Sequence, residues 1–229
     1  AWQKAGAEVR IVADSELPAN IASSSAMTLV NPNNPDGRVL ARELTLSLHD
    51  ALSRHGGVLI VDEAFGDLDP QHCVSDIAGS DAAPGMIVLR SFGKFYGLAG
   101  VRLGFVIASP AIATRLRQLL GDWPVSVDAL RAGLAAYADD GWAQRMRITL
   151  SDTAQRLDRL LVGGGMSIAG GTSLYRLARA TNARARFTQL MSHGVLVRPF
   201  EHDATLLRFG LPGTRAAWRR LTKALKEQP

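Results

Sequence analysis

Three short apolar runs restrict this chain more than anything else in it: AMTLVNP (Ala26–Pro32), VLIVDEAF (Val58–Phe65) and MIVLR (Met86–Arg90). Between the first two, Leu40, Leu44, Leu48 and Leu52 recur at helical spacing until Gly56-Gly57 stops the run. Apolar strands alternating with helices predict a mostly parallel sheet buried on both faces. EVRIVA (Glu8–Ala13) reads as an additional strand before these runs, and GFVIA (Gly104–Ala108) as one after them.

From Pro110 onward the pattern changes. Helical spacing covers Ala111–Leu120, Val127–Ala138 and Gly141–Val162, the last closed by Gly163-Gly164-Gly165. MSIAGGTSLYRLA, GVLVRPF and TLLRFGLP then supply short strands, with helices between and after them. The expectation is an α/β fold: a three-layer, mostly parallel sheet over residues 1–139, and a small α+β C-terminal domain over residues 140–229.

The 229 residues suffice for one large domain or two small ones. No apolar run approaches the roughly 20 residues needed to span a bilayer, and the N-terminus lacks a signal-peptide layout. A single cysteine, Cys73, excludes an intrachain disulfide framework. The reading is a cytoplasmic protein without a membrane partner. Charge is uneven: residues 1–130 hold 10 Lys and Arg against 14 Asp and Glu, residues 131–229 hold 16 against 7. The arginines are scattered along helices without interleaved aromatics, so the reading is an anionic small molecule and no nucleic acid.

In open α/β sheets ligands bind beyond the carboxyl ends of the strands. Asn34, Asp62 and Lys94 stand at three such ends. Each alone has an ordinary reading: a turn asparagine, a helix-capping or surface carboxylate, a solvated lysine. Together, in that order, they suggest chemistry. A buried lysine loses its charge readily and its neutral amine can condense with an aldehyde. A strand-end carboxylate can hold a pyridinium nitrogen, an amide can donate to a phenolate oxygen, and a hydroxyl and a cation can hold a phosphate. Ser91 and Arg102 flank the lysine on both sides.

The succession NPNNPDG, VDEAF and SFGKFYGLAGVRLG resembles the fold-type I enzymes that use pyridoxal 5′-phosphate, and more narrowly the histidinol-phosphate aminotransferase group. NPNNPDGR, DEAF and RSFGKFYGLAGVRLGF are most similar to its cobalamin-biosynthesis branch, the L-threonine-O-3-phosphate decarboxylases. The resemblance implies that Lys94 carries the cofactor, Asp62 pairs with its ring nitrogen, Asn34 bonds its 3′ oxygen, and Ser91 and Arg102 hold its phosphate. In TLLRFGLP it implies that Arg208 clamps the substrate carboxylate, with Arg198 of GVLVRPF a second substrate contact. It implies decarboxylation of L-threonine O-3-phosphate, or alternatively amino-group transfer with the same residues, and a homodimer. A remnant without catalysis is the other reading. It also implies a longer protein, whose N-terminal third is missing from this chain.

One departure from that pattern is Phe65, where the family commonly has a tyrosine; phenylalanine cannot donate a hydrogen bond, so Asn34 would serve the phenolate alone. Other chemistries find no support. The five histidines show no metal-ligand spacing, no G-x-G-x-x-G fingerprint occurs, and GTSLY (Gly171–Tyr175) lacks the second glycine of a nucleophile elbow.

Overall fold

The computed structural model describes residues 2–227 and contains two four-stranded sheets. In the first, β1 (Ala26–Val30), β2 (Val58–Asp62) and β3 (Met86–Ser91) run parallel in that order, and β4 (Gly104–Ile107) pairs antiparallel with β3. The mixed, mostly parallel α/β arrangement is the one the apolar runs predict. Glu8–Ala13, expected as a strand, has no regular structure and is largely exposed. Its alternating residues find no neighbouring strand to pair with, so local β-propensity alone does not hold it.

The register shows which residues share a face. Met27, Leu59, Val61, Met86, Val88, Phe105 and Ile107 lie on one face, and Glu63 and Arg90 continue its rows. Helix α1 (Leu17–Asn20) and α2 (Arg42–Ser53) cover this face, α2 through Leu48 and Leu52. Ala26, Thr28, Val30, Val58, Ile60, Asp62, Ile87, Leu89, Ser91 and Val106 lie on the other, where every residue is exposed or only partly buried. Burial on both faces is therefore not met among the described residues: helices pack on one side only.

After β4 come α3 (Pro110–Leu120), α4 (Val127–Tyr137) and the 24-residue α5 (Asp140–Gly163). Ser126 caps α4 and Asp139 caps α5, each accepting from a first-turn amide. Helix α4 packs on Leu103 and Phe105 through Ala129 and Gly133. None of these helices is long and apolar enough to cross a membrane, nor is any other among the described residues.

The second sheet is antiparallel throughout, in the order β5 (Ser167–Thr172), β6 (Tyr175–Arg179), β8 (Leu206–Gly210), β7 (Arg198–Pro199). Helices α6 (Ala183–Ser192) and α7 (Arg215–Lys226) join α5 in covering it, around Leu157, Leu161, Leu190, Leu207, Phe209 and Leu221.

The two sheets meet backbone to backbone. The turn after β1, NPNNPDG, inserts against the β5–β6 hairpin, and the Gly171 amide donates to the Asp36 carbonyl at 2.6 Å. Gly37, at φ +72°, lies so close that a Cβ there would sit 1.9 Å from the Gly171 carbonyl oxygen. Gly56, at φ +76°, faces open space.

These two glycines separate backbone strain from contact. Gly56→Ala is expected to cost about 1 kcal/mol, the penalty of a left-handed alanine. Gly37→Ala adds a collision with backbone that cannot move aside, and is expected to cost at least about 2 kcal/mol more. Thermal unfolding checks this: at about 2–4 °C per kcal/mol for a chain of this size, the two Tm values should differ by roughly 4 °C or more.

Candidate active site

A cavity of about 750 Å³ opens where the strand ends of the first sheet face the second. Asn34, Phe65 and Lys94 line it from the first sheet, and Tyr175, Arg198 and Arg208 from the second. Lys94 sits in the turn after β3, where Phe92 and Phe95 are buried and the lysine between them is exposed. Its amine reaches over the Phe65 ring, 5.7 Å from the centroid. The expectation of a buried, desolvated lysine is corrected here, because Lys94 is exposed to the open cavity.

Arg208 has three close neighbours. Its Nη1 donates to Asn34 Oδ1 at 2.5 Å, its guanidinium lies 5.2 Å from the Tyr175 ring centroid, and Arg198 is its direct partner on the neighbouring strand. Burial lowers its pKa, and the positive charge of Arg198 adds to that. Tyr175 meets Phe65 edge-on at 5.3 Å and donates from its hydroxyl to the Asn33 carbonyl at 2.8 Å, which ties β6 to the NPNNPDG turn. Burial pushes the Tyr175 phenol up to about 12.

The seven residues singled out from sequence are distributed as follows. Asn34, Lys94, Arg198 and Arg208 share the cavity; Asp62 does not line it. Asp62 closes β2 on the less covered face and accepts from the Ala64 amide at 2.9 Å. Ser91 lies at the end of β3 on that same face, also outside the cavity. Arg102 is exposed at φ +57°, donating to the Ala99 carbonyl, and likewise does not line the cavity. Alternation explains Asp62 and Ser91: they sit one residue from Glu63 and Arg90, which point to the covered face.

Those two neighbours belong to a charge cluster that sequence reasoning missed. Glu63 is fully buried, and Arg90 donates to its Oε2 at 2.9 Å and, by a short contact, to Asp67. Glu63 Oε1 accepts from the Val74 amide at 2.6 Å, and Arg147 of α5 donates to the Asp67 carbonyl at 2.8 Å. Asp67 Oδ2 is buried with no partner among the described residues. Burial pushes the Asp67 carboxyl up more than Arg90 pulls it down. Burial opposes the Arg90 charge, but Asp67, Cys73 and Glu63 outweigh it and its pKa is raised. Cys73, 3.3 Å from Arg90, is pushed by burial up to about 12 and is no nucleophile at neutral pH. The signal available in the sequence was period-two alternation in VLIVDEAF, which puts Glu63 in the row of Leu59 and Val61. Tyr175 is a further residue that sequence reasoning missed, because GTSLY reads only as an incomplete nucleophile elbow.

Comparison with known proteins agrees with this geometry. The family model for aminotransferase class I and II matches residues 13–225. The chain is similar to threonine-phosphate decarboxylase of Pseudomonas aeruginosa, 41% identical over 98% of this chain and 67% of that protein. It is similar to threonine-phosphate decarboxylase of a Sinorhizobium species at 39%, covering 97% and 65%. Among solved structures it resembles histidinol-phosphate aminotransferase from Sinorhizobium meliloti in complex with pyridoxal-5′-phosphate. The TM-score is 0.83 and the identity 24%, over 95% of this chain and 62% of that one. The chain therefore spans about two thirds of the length of these proteins.

Two outcomes follow from the cluster and the phenols. Arg90→Met would leave two carboxylates buried without their cation, and is expected to cost about 3–5 kcal/mol in chemical denaturation. Tyr175 and Tyr96, the latter also pushed by burial to about 12, keep their protons in the fold after unfolded phenols, at about 10, have lost theirs. Between those values the unfolded chain binds fewer protons, so stability falls as pH rises from about 10 to about 12. Tm measured across that window should drop, and Tyr96→Phe should make the drop shallower.

Proposed function

The chain belongs to the class I and II aminotransferase family, and from that premise we propose that it is the ligand-binding portion of a pyridoxal 5′-phosphate-dependent decarboxylase of L-threonine O-3-phosphate. The observation that carries the substrate is the pair Arg198 and Arg208, directly opposed across β7 and β8 in one cavity. Like charges placed opposite one another in a sheet destabilise it, and no carboxylate lines this cavity to neutralise them. A ligand with two anionic groups relieves both. The relatives at 39–41% identity are named threonine-phosphate decarboxylase, and that substrate carries a carboxylate and a phosphate.

Lys94 and Asn34 fit the cofactor from within the cavity, while Asp62, Ser91 and Arg102 stand outside its lining. The Lys94 amine opens into the cavity over an aromatic ring, and Asn34 Nδ2 has no acceptor among the described residues, so both are available. When bound, pyridoxal phosphate supplies an aldehyde that condenses with amines and a protonated ring that accepts an electron pair released at Cα. Lys94 would hold it covalently. Asp62 would keep the ring nitrogen protonated, Asn34 would donate to the 3′ oxygen, and Ser91 and Arg102 would hold its phosphate. Arg208 would orient the substrate carboxylate as a planar, two-pronged donor, and Arg198 would meet the substrate phosphate. In its protonated form, the Lys94 side chain would be the acid that returns a proton to the substrate Cα.

Amino-group transfer uses the same residues and differs only in which bond at Cα breaks, so it is the alternative reading. The proposal also takes in a homodimer, a reducing cytoplasmic setting, and a division into a cofactor-binding part (1–139) and a small α+β part (140–229).

Two measurements test this. Borohydride reduction in the presence of pyridoxal phosphate should fix one pyridoxyl group on the peptide bearing Lys94, and none in Lys94→Ala; a colourless, unlabelled chain would leave the remnant reading. Carbon dioxide should be released from L-threonine O-3-phosphate without a keto-acid acceptor. Where that release is seen, Arg198→Ala should raise KM for the phosphorylated substrate at least about tenfold, the loss of one charge-assisted contact of about 1.5–3 kcal/mol, with little effect on unphosphorylated threonine.

A further inference from the structure

We propose that the groove between α5 and α7 is a second anion-binding site, which takes an oligophosphate of nucleotide size. The groove has a volume of about 540 Å³, within the range of small-molecule sites. Arg156, Arg215, Trp218, Arg219, Lys223 and Lys226 line it together with Thr222, and it shares no residue with the cavity at the strand ends. Five of these side chains are cations, and all five are exposed.

Their arrangement is not that of an ordinary solvated helix face. Arg215, Arg219 and Lys223 follow one another at four-residue intervals along α7, so each stands over the next with like charge, an unfavourable spacing that acidic residues usually relieve. Helix α7 contains no acidic residue at all. Across the groove, Asp158 of α5 is engaged by Arg176 at 2.6 Å, and Asp152 does not line the groove. Among the described residues, none of the five cations has a carboxylate within ion-pair distance.

One cation is also fixed in place. The Arg156 guanidinium stacks on Trp218 at 4.0 Å from the ring centroid, and that ring is 8% exposed. Stacking pre-orients a planar set of donors at the groove wall and reduces the side-chain entropy lost when an anion binds. With its ring covered, Trp218 has no open face for a base to stack on. The groove therefore recognises charge spread over several phosphates, and a hydroxyl from Thr222 stands among the cations to accept or donate beside them.

Isothermal titration of the full chain at 0.1 M salt tests this with two ligands, inorganic triphosphate and adenosine triphosphate, against sulfate at matched ionic strength. Both should bind more tightly than sulfate, at one site per chain, and Arg219→Glu with Lys223→Glu should weaken both at least about tenfold. These two side chains are exposed, so the variant should keep the parent Tm, and labelling of Lys94 by borohydride should be unchanged in it. Equal affinity for the two ligands assigns recognition to the phosphate chain alone; tighter nucleotide binding adds a contact from the nucleoside. Either supports the site. Binding no tighter than sulfate, or an unchanged affinity in the charge-reversed variant, overturns it. A 20-base-pair DNA that binds these residues more tightly than triphosphate would also overturn it, by assigning the groove to a nucleic-acid backbone.

Discussion

Arg90 sets the frame on which the rest of the candidate site depends. It lies on β3, one residue before Ser91 and four before Lys94, and it grips Glu63 and Asp67 beyond the end of β2. Three charges buried together are costly unless each finds its partner, which makes the spacing between the ends of β2 and β3 hard to change. Gly66 fits inside the cluster because it has no side chain: a Cβ there would lie 2.7 Å from Cys73 Sγ and 2.9 Å from the Arg90 guanidinium. The cluster also reaches the second half of the chain, through Arg147 of α5. The turn bearing Lys94 is thus anchored from beneath by ions and flanked by buried Phe92 and Phe95, while its amine remains free.

The cavity itself is a joint product of two sheets built on different rules. The first contributes strand ends, where parallel alignment delivers polar residues to one edge. The second contributes strand sides, where antiparallel pairing sets Arg198 directly beside Arg208. Tyr175 and Asn34 cross between them, one by a hydroxyl to Asn33 and the other by an amide oxygen to Arg208. Neither sheet alone would bring cations and a lysine into the same space.

Much of this was legible from residue order. Apolar runs bounded by turn residues covered all eight strands of the described residues, β5 and β6 within the single run MSIAGGTSLYRLA, and leucine spacing placed α2 within two residues. What escaped was information that resides in tertiary contact. Glu8–Ala13 has strand-like composition but no partner strand. Lys94 reads as buried because its neighbours are apolar, whereas the turn buries Phe92 and Phe95 and leaves the lysine between them exposed. Two-faced burial of the sheet is not met among the described residues for a comparable reason: Val30, Ile60, Leu89 and Val106 are apolar, but none of them is buried. The arginine pair is invisible in sequence because ten residues separate Arg198 from Arg208, and only strand register makes them neighbours.

The seam between Gly37 and Gly171 carries a mechanical implication. Contact there is made by carbonyl and amide atoms, with no side chain in between to change rotamer and take up slack. A small displacement of the β5–β6 hairpin must then be passed on undamped to the turn that holds Asn34, three residues away. Rigidity at that point is a form of gearing: whatever tilts the second sheet also re-aims the amide at the cavity mouth.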